Sequence, residues 1–158
     1  MMWKKHRKSV KPSSTNSPFG LREKGRRHEE QNEQRALLII CDMHLWKWPE
    51  LRMLYHVPNG GLRSKIEAAI MSALGVKSGV PDLVLPVARR GWFGAYIEMK
   101  RPGQRRKTGP MQKWWLQHLA VSGYATIVCD SAESAWQFIK WYLEGKNTIA
   151  QQMPELFE

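Results

Sequence analysis

The stretch "GVPDLVLPVARRGWFGAYIEMK", from Gly79 to Lys100, decides the fold. Two largely apolar segments flank a polar turn, which is the pattern of two adjacent strands in a hairpin. Charged side chains stand at the outer ends of both segments, because Asp82 opens the first and Glu98 and Lys100 close the second. Burying such groups is costly unless they are paired, so this placement requires a chemical explanation.

The period of a strand predicts how these charges meet. Residues two apart share a face, and the start of one hairpin strand lies beside the end of the other, so we expect Asp82 beside Glu98. Two adjacent carboxylates repel each other, and a hard divalent cation such as Mg²⁺ or Mn²⁺ relieves that repulsion. The Met99 carbonyl offers a further oxygen ligand, and Lys100 could orient a water or stabilise the charge of a phosphate. The alternative is a surface ion pair between Glu98 and Lys100.

Helices and strands are predicted on both sides of this hairpin. The apolar periodicities and turn signals give the order α-β-α-β-β-α-β-α. The flanking elements are a helix from about Glu29 to Trp46, a strand Arg52–Val57, a helix Leu62–Leu74, a helix from Pro110 to Gly123, a strand Tyr124–Asp130 and a helix Ser131–Gly145. This order predicts an α/β fold with a central mixed sheet flanked by helices.

The composition is that of one folded domain without a membrane span. The chain has 158 residues with 42% hydrophobic and 25% charged residues. No apolar run approaches the roughly 18 residues that cross a bilayer, and no apolar segment follows the basic N-terminus as in a secretory signal. Cys41 and Cys129 both lie in apolar contexts, so we expect buried thiols and a reducing, cytoplasmic location.

The positive charge is concentrated at the N-terminus. Residues 1–27 hold nine Lys and Arg against one acid, a net charge of +8, which leaves +3 of the total +11 for the rest of the chain. We therefore divide the chain into a basic, disordered arm (1–27), a folded domain (28–146) and a C-terminal tail (147–158). A basic arm favours a polyanionic partner, and a solubilising leader is the alternative interpretation.

Several motifs together resemble the virus-type replication–repair nuclease (VRR-NUC) family of the PD-(D/E)xK nucleases. They are "HVPNGG" at 56–61 with Arg63, "GVKSGVPDL" at 75–83, "YIEMKRPG" at 96–103, Gln112, and "GY" at 123–124. The resemblance implies a restriction-endonuclease-like fold and metal-dependent hydrolysis of phosphodiesters. It implies that Asp82 and Glu98 bind metal, that Lys100 is the catalytic lysine, and that Gln112 helps to shape the site.

The resemblance also implies a glutamate on the first helix near the metal. Glu29, Glu30 and Glu33 all lie in the relevant segment. Glu30 and Glu33 are three residues apart on one helical stripe, so helical phase does not separate them. Glu30, four residues before Gln34, is the preferred candidate.

A second group of residues fits a nucleic-acid surface. Glycines let backbone N–H groups approach a phosphate, and basic side chains neutralise its charge. The candidates are Asn59, Gly60, Gly61, Arg63, Lys65, Arg101, Arg105, Arg106 and Lys107. Arg89 and Arg90, with Trp92 and Phe93, are expected to add charge and a stacking aromatic beside the same cleft, with core packing as the alternative for the two rings. The remaining tryptophans, Trp46 and Trp114 among them, are expected in the core or at an interface.

These observations predict an Mg²⁺- or Mn²⁺-dependent DNA endonuclease. The stand-alone length is similar to that of phage members of the family, which implies a phage- or bacterium-encoded homodimer acting on branched DNA, as a Holliday junction resolvase does. The alternatives are a catalytically silent DNA-binding module on the same fold, or a nuclease that acts on flaps, ends or RNA.

Overall fold

Four short strands form one sheet whose spatial order follows the chain. In the computed structural model, which describes residues 18–58 and 64–146, the strands are β1 (Tyr55–His56), β2 (Leu83–Leu85), β3 (Ala95–Met99) and β4 (Ala125–Cys129). The pairs β1–β2 and β2–β3 are antiparallel, whereas β3–β4 is parallel. The sheet is therefore mixed, which confirms the predicted α/β class.

Four α-helices accompany the sheet. They are α1 (Pro18–Met43), α2 (Lys65–Ala73), α3 (Pro110–Val121) and α4 (Ala132–Leu143). A 3₁₀ helix, Pro49–Met53, adds one element between α1 and β1. The predicted order of helices and strands is otherwise reproduced. No described helix has the length and apolarity that a bilayer crossing needs.

Two element boundaries differ from the sequence-based expectation. Helix α1 starts at Pro18, well before Glu29, so residues 18–27 of the expected arm belong to a helix. Proline fits the first turn of a helix and long charged side chains have good helix propensity, which outweighs the low apolar content of this segment. Strand β1 is shorter than expected because Pro49 opens a helical turn that includes Arg52.

The core lies between one face of the sheet and the helices α1 and α4. Alternate strand residues point into it, since Leu83, Leu85, Ile97 and Met99 are all buried. Helix α1 contributes Leu37 and Cys41, and α4 contributes Ala135, Ile139 and Tyr142. Both Cys41 and Cys129 are free and buried, as expected. Burial raises the pKa of the Cys41 thiol to about 12, so it stays protonated at neutral pH.

Candidate active site

Asp82 lies beside Glu98 at one end of the β2–β3 hairpin. The register pairs Leu83 with Ile97, which places the preceding Asp82 opposite Glu98. One carboxylate oxygen of Asp82 accepts a hydrogen bond from the Met99 N–H at 2.8 Å. The hairpin geometry inferred from the sequence therefore brings the two acids together.

The backbone of Asp82 is fixed from the β1 side. Its carbonyl oxygen accepts a hydrogen bond from the Val57 N–H at 2.8 Å. The same oxygen lies 2.9 Å from Nδ1 of His56, which must donate because a carbonyl only accepts. His56 thus positions the backbone of an acid at the site.

Glu98 and Lys100 form a buried ion pair. Only 1% of Glu98 and 8% of Lys100 is exposed, and Lys100 Nζ lies 2.5 Å from Glu98 Oε1. The alternative of a surface ion pair at a strand end is therefore wrong. Two charged residues facing away from the apolar core have been enclosed together, which is unusual unless they serve a purpose.

Gln112 holds the same carboxylate oxygen. Its side-chain amide donates to Glu98 Oε1, and its own carbonyl oxygen accepts the Gly109 N–H at 2.9 Å. Gln112 is thereby oriented by the start of α3 while it contacts Glu98. The second oxygen, Glu98 Oε2, is buried and has no hydrogen-bond partner within residues 18–58 and 64–146.

Burial shifts the pKa values of both acids upward. Burial raises the pKa of Glu98 to about 7, the neighbouring Asp82 adds to this, and Lys100 opposes it. Burial also raises the pKa of Asp82, against the lowering effect of the Met99 N–H and of Lys100. When Asp82 and Glu98 are both ionised, the single positive charge of Lys100 does not balance their two negative charges.

The structure separates the candidate glutamates of α1. Glu30 lines a cleft of about 360 Å³ together with Asp82 and Gln112. Burial raises the pKa of Glu30, which interacts electrostatically with Lys100 and Asp82. Glu33 faces elsewhere, because its carboxylate accepts the Ala132 N–H at 2.7 Å and so caps α4. Glu29 is exposed.

The preferred Glu30 is therefore the one at the cleft.

Gly79 is a site residue that the sequence did not reveal. Its φ of +84° lies in the left-handed region, and a Cβ there would lie 2.8 Å from Met111 Cβ. Only glycine allows this loop to rest against the first turn of α3, which brings Asp82 and Gln112 to one cleft. The Ser-Gly pair signals a turn in the sequence, but the contact with Met111 depends on the tertiary fold.

The basic candidates differ in where they lie. Arg101 is half-buried next to the site, where it influences Glu30, and Arg105, Arg106 and Lys107 are exposed in the loop that follows β3. Asn59, Gly60, Gly61 and Arg63 lie outside the described residues. Lys65 is the first residue of α2, but its side chain is outside the description.

The turn between β2 and β3 lies away from the cleft. It lies at the opposite end of the hairpin from Asp82, and its charges have structural partners. Arg89 pairs with Glu50, whereas Arg90 donates to the Trp141 carbonyl at 2.8 Å and stacks over its ring at 4.4 Å. The expectation that these arginines surround the active site is wrong, because a hairpin turn and its open end are separated by the length of the strands.

The donor set at the cleft fits a hard divalent cation. No cluster of three or more His, Cys, Asp or Glu side chains is close enough to enclose a metal ion in the part of the chain that the structure describes. Asp82 and the free oxygen of Glu98 nevertheless offer two oxygen donors, and such ions commonly complete their shell with water, phosphate or backbone carbonyls. In a strand the N–H and C=O of one residue face the same neighbour, so the Met99 carbonyl lies on the Asp82 side as its N–H does.

The fold and the site together define a class. A mixed α/β sheet whose hairpin ends in two acids and a lysine, with a helix-borne glutamine on one acid, is the arrangement of the PD-(D/E)xK proteins. The model of the VRR-NUC domain family matches residues 22–133, and the chain belongs to this family.

One solved structure supports this assignment. It is a VRR-NUC domain protein, 28% identical, with a TM-score of 0.65 over 75% of this chain and 91% of that chain. No curated protein matches the chain.

Proposed function

We propose that this protein is a metal-dependent nuclease that hydrolyses phosphodiester bonds in DNA. The observation that carries the proposal is the buried Glu98–Lys100 pair beside Asp82, with one Glu98 oxygen left without a partner among the described residues. A buried ion pair contributes little to stability compared with apolar residues of similar volume. Its presence at a cleft, within a nuclease family, is best explained by chemistry.

The chain supplies distinct parts of that chemistry. Asp82 and Glu98, with Glu30 at the edge and the Met99 carbonyl, would hold Mg²⁺ or Mn²⁺, which polarises the scissile phosphate and lowers the pKa of a bound water. Gln112, which lines the cleft, fixes one Glu98 oxygen and leaves the other available to a ligand. The ammonium of Lys100 is held by Glu98 next to the site, where it orients the attacking water or stabilises phosphate charge.

Two basic segments, the loop after β3 and the N-terminal arm, would hold the backbone of the nucleic acid. The loop with Arg105, Arg106 and Lys107 directly follows the strand that carries Glu98, so it is placed to contact phosphates near the cut. The arm, residues 1–27, adds a net charge of +8 and would strengthen binding without sequence preference. Asn59, Gly60, Gly61, Arg63 and Lys65 remain proposed contacts on the loop before α2.

We further propose a homodimer that acts on branched DNA. Helix α2 and its C-cap, Leu74, carry an apolar stripe on the surface, since Ile66, Ile70 and Leu74 are 74%, 53% and 76% exposed. A stripe at this helical spacing is self-complementary when two copies of the helix pack about a twofold axis. Two active sites related by that axis would suit paired cuts in the two strands of a four-way junction.

A catalytically silent DNA-binding module is the main alternative. Such a module needs surface charge but has no use for a buried Glu98 beside a half-buried Asp82, because two adjacent carboxylates repel each other when ionised. The retained Asp82, Glu98 and Lys100 therefore favour an enzyme. A nuclease that prefers flaps, ends or RNA keeps the same chemistry and differs only in the substrate.

One cleavage experiment tests enzyme against binder. The purified chain is incubated with plasmid, linear duplex, flap, four-way-junction and RNA substrates in Mg²⁺, Mn²⁺ or EDTA. We expect cutting with either metal and none in EDTA, and a loss of at least roughly 100-fold in Glu98→Gln, which keeps the size of the side chain but removes its charge. Cleavage by Glu98→Gln at the rate of the unmodified protein, or cleavage that persists in EDTA, would refute the proposal.

A further inference from the structure

An exposed tryptophan stands on the helix that carries Gln112. Trp114 is 45% exposed, although its large ring would ordinarily be sheltered. Local sequence patterns do not distinguish it from the other tryptophans, for which the core or an interface is the expected location. Its surroundings indicate a specific use.

The indole of Trp114 is in contact with two neighbouring rings. The His118 ring stacks on it at 4.0 Å and 25°, and His118 Nδ1 donates to the Trp114 carbonyl oxygen at 2.8 Å. Trp115 meets the indole edge-on at 5.3 Å and 89°, and its own N–H donates to the Ser78 carbonyl oxygen at 3.1 Å. An aromatic ring fixed in this way loses little conformational entropy when a flat ligand stacks on it.

Trp114 is also connected to the active-site cleft. Met111 lines the cleft and is itself exposed, and Trp114 follows it by three residues, so the two side chains are neighbours on the helix surface. Gln112, between them in sequence, contacts Glu98. A strand whose phosphate lies at Glu98 would therefore pass Met111 and reach Trp114 within a few nucleotides.

The chemistry around the ring suits a nucleobase. Lys113 and His118 are exposed on the same helix, and the exposed Arg105, Arg106 and Lys107 precede it in the chain. Aromatic rings set among basic side chains are the pattern by which proteins hold single-stranded nucleic acid, with bases stacked and phosphates neutralised. We propose that Trp114 is the stacking platform for an unpaired base of the substrate, which makes the enzyme selective for DNA with single-stranded character beside the cut. This proposal rests on the proposed nuclease function.

A binding experiment without cleavage tests the platform. Fluorescence anisotropy of the full-length chain in EDTA compares a blunt duplex with the same duplex carrying a short single-stranded tail. We expect Trp114→Ala to weaken binding of the tailed DNA by about tenfold and to leave the blunt duplex nearly unchanged, because stacking on one aromatic ring is worth about that much per base. Trp114→Phe should restore most of the affinity for the tail.

Trp46→Ala is the matched control. Trp46 is 79% exposed and follows the C-terminal end of α1, roughly 20 Å along the helix axis from Glu30, so its loss should not change binding of either DNA. Equal loss on tailed and blunt DNA, or no loss on either, would overturn the proposal. So would a change in oligomeric state by light scattering without a change in DNA affinity, since the face would then be a protein interface. Because no cleavage is needed, an inactive wild type would refute the proposed nuclease without deciding this question.

Discussion

The two oxygens of the Glu98 carboxylate have different surroundings, which suit one to a structural role and the other to ligand binding. One oxygen is held by Lys100 and Gln112, and the other is buried with no hydrogen-bond partner among the described residues. The first oxygen fixes the side chain, which allows the second to bind a ligand without a further loss of conformational freedom. A bound cation would also remove the repulsion between Glu98 and Asp82.

The raised pKa of Glu98 makes the stability of the metal-free protein depend on pH. The folded-state pKa is about 7 against 4.5 for the ordinary carboxyl, so the folded protein keeps a proton that the unfolded chain has released. The free energy of unfolding should therefore fall as pH rises from about 4.5 to about 7, by a few kcal/mol, because one pKa unit corresponds to about 1.4 kcal/mol. Asp82 and Glu30, whose pKa values are also raised, act in the same direction.

Urea unfolding in EDTA across that pH range measures the effect. Glu98→Gln cannot ionise, so its stability should change less with pH than that of the unmodified chain. Addition of Mg²⁺ at alkaline pH should restore stability, since a cation favours the ionised acids. A pH dependence that is identical in the variant and the unmodified chain would show that another group is responsible.

The sequence predicted the meeting of Asp82 and Glu98 but not the full identity of the site. Strand period and hairpin pairing are local rules, and they were sufficient for those two acids and Lys100. These local rules do not distinguish Glu30 from Glu33, because that choice depends on where α4 lies relative to α1. The role of Gly79 was missed for the same reason, since its partner Met111 belongs to a distant helix.

At the scale of the elements, two glutamates of α1 that are three residues apart have different surroundings. Glu30 faces the cleft, whereas Glu33 caps the first turn of α4 through the Ala132 N–H. A carboxylate near the N-terminus of a helix also interacts favourably with the helix dipole. Substitution of each residue should therefore affect a different property.

We expect Glu33→Ala to lower stability and Glu30→Ala to lower activity. Loss of the cap should reduce the free energy of unfolding by about 1 kcal/mol and leave cleavage at moderate temperature unchanged. Loss of Glu30 should reduce cleavage roughly tenfold or more, with little loss of stability because its own burial is unfavourable. Thermal melts and cleavage rates on the same preparations check both statements, and the assignment is wrong if the two variants exchange these effects.

Local signals predicted the number and order of elements better than their ends. The apolar periodicities of β2, β3 and α4 survive in the structure because these elements build the core. Helix α1 starts earlier than expected, since residues 22–27 contain no apolar side chain and so carry no periodic signal for a helix. Strand β1 is short because the 3₁₀ helix that begins at Pro49 takes up its first residues.

At the scale of the whole molecule, α2 contributes little to the packing of its own domain. Every described side chain of α2 except that of Met71 is exposed, and its start is stabilised by a capping box between Ser64 and Glu67 rather than by packing. A capped helix with an exposed apolar stripe is maintained at a cost in solubility unless another molecule covers it. A second copy of the chain is the proposed cover.

We expect Ile70→Glu to produce a monomer, because a charge in the centre of the stripe cannot be buried against its own copy. Ser72→Glu is the matched control, since it adds the same charge to the opposite, exposed face of α2. Light scattering should report a dimer for the unmodified chain and for the control. Competition cleavage near 0.1 M salt, where charges more than about 10 Å apart are largely screened, should then show paired cuts in a four-way junction by the dimers and single nicks by Ile70→Glu. A monomeric unmodified chain at the concentration that cuts, or equal cleavage of linear and branched DNA by the dimer, would remove the basis for junction selectivity.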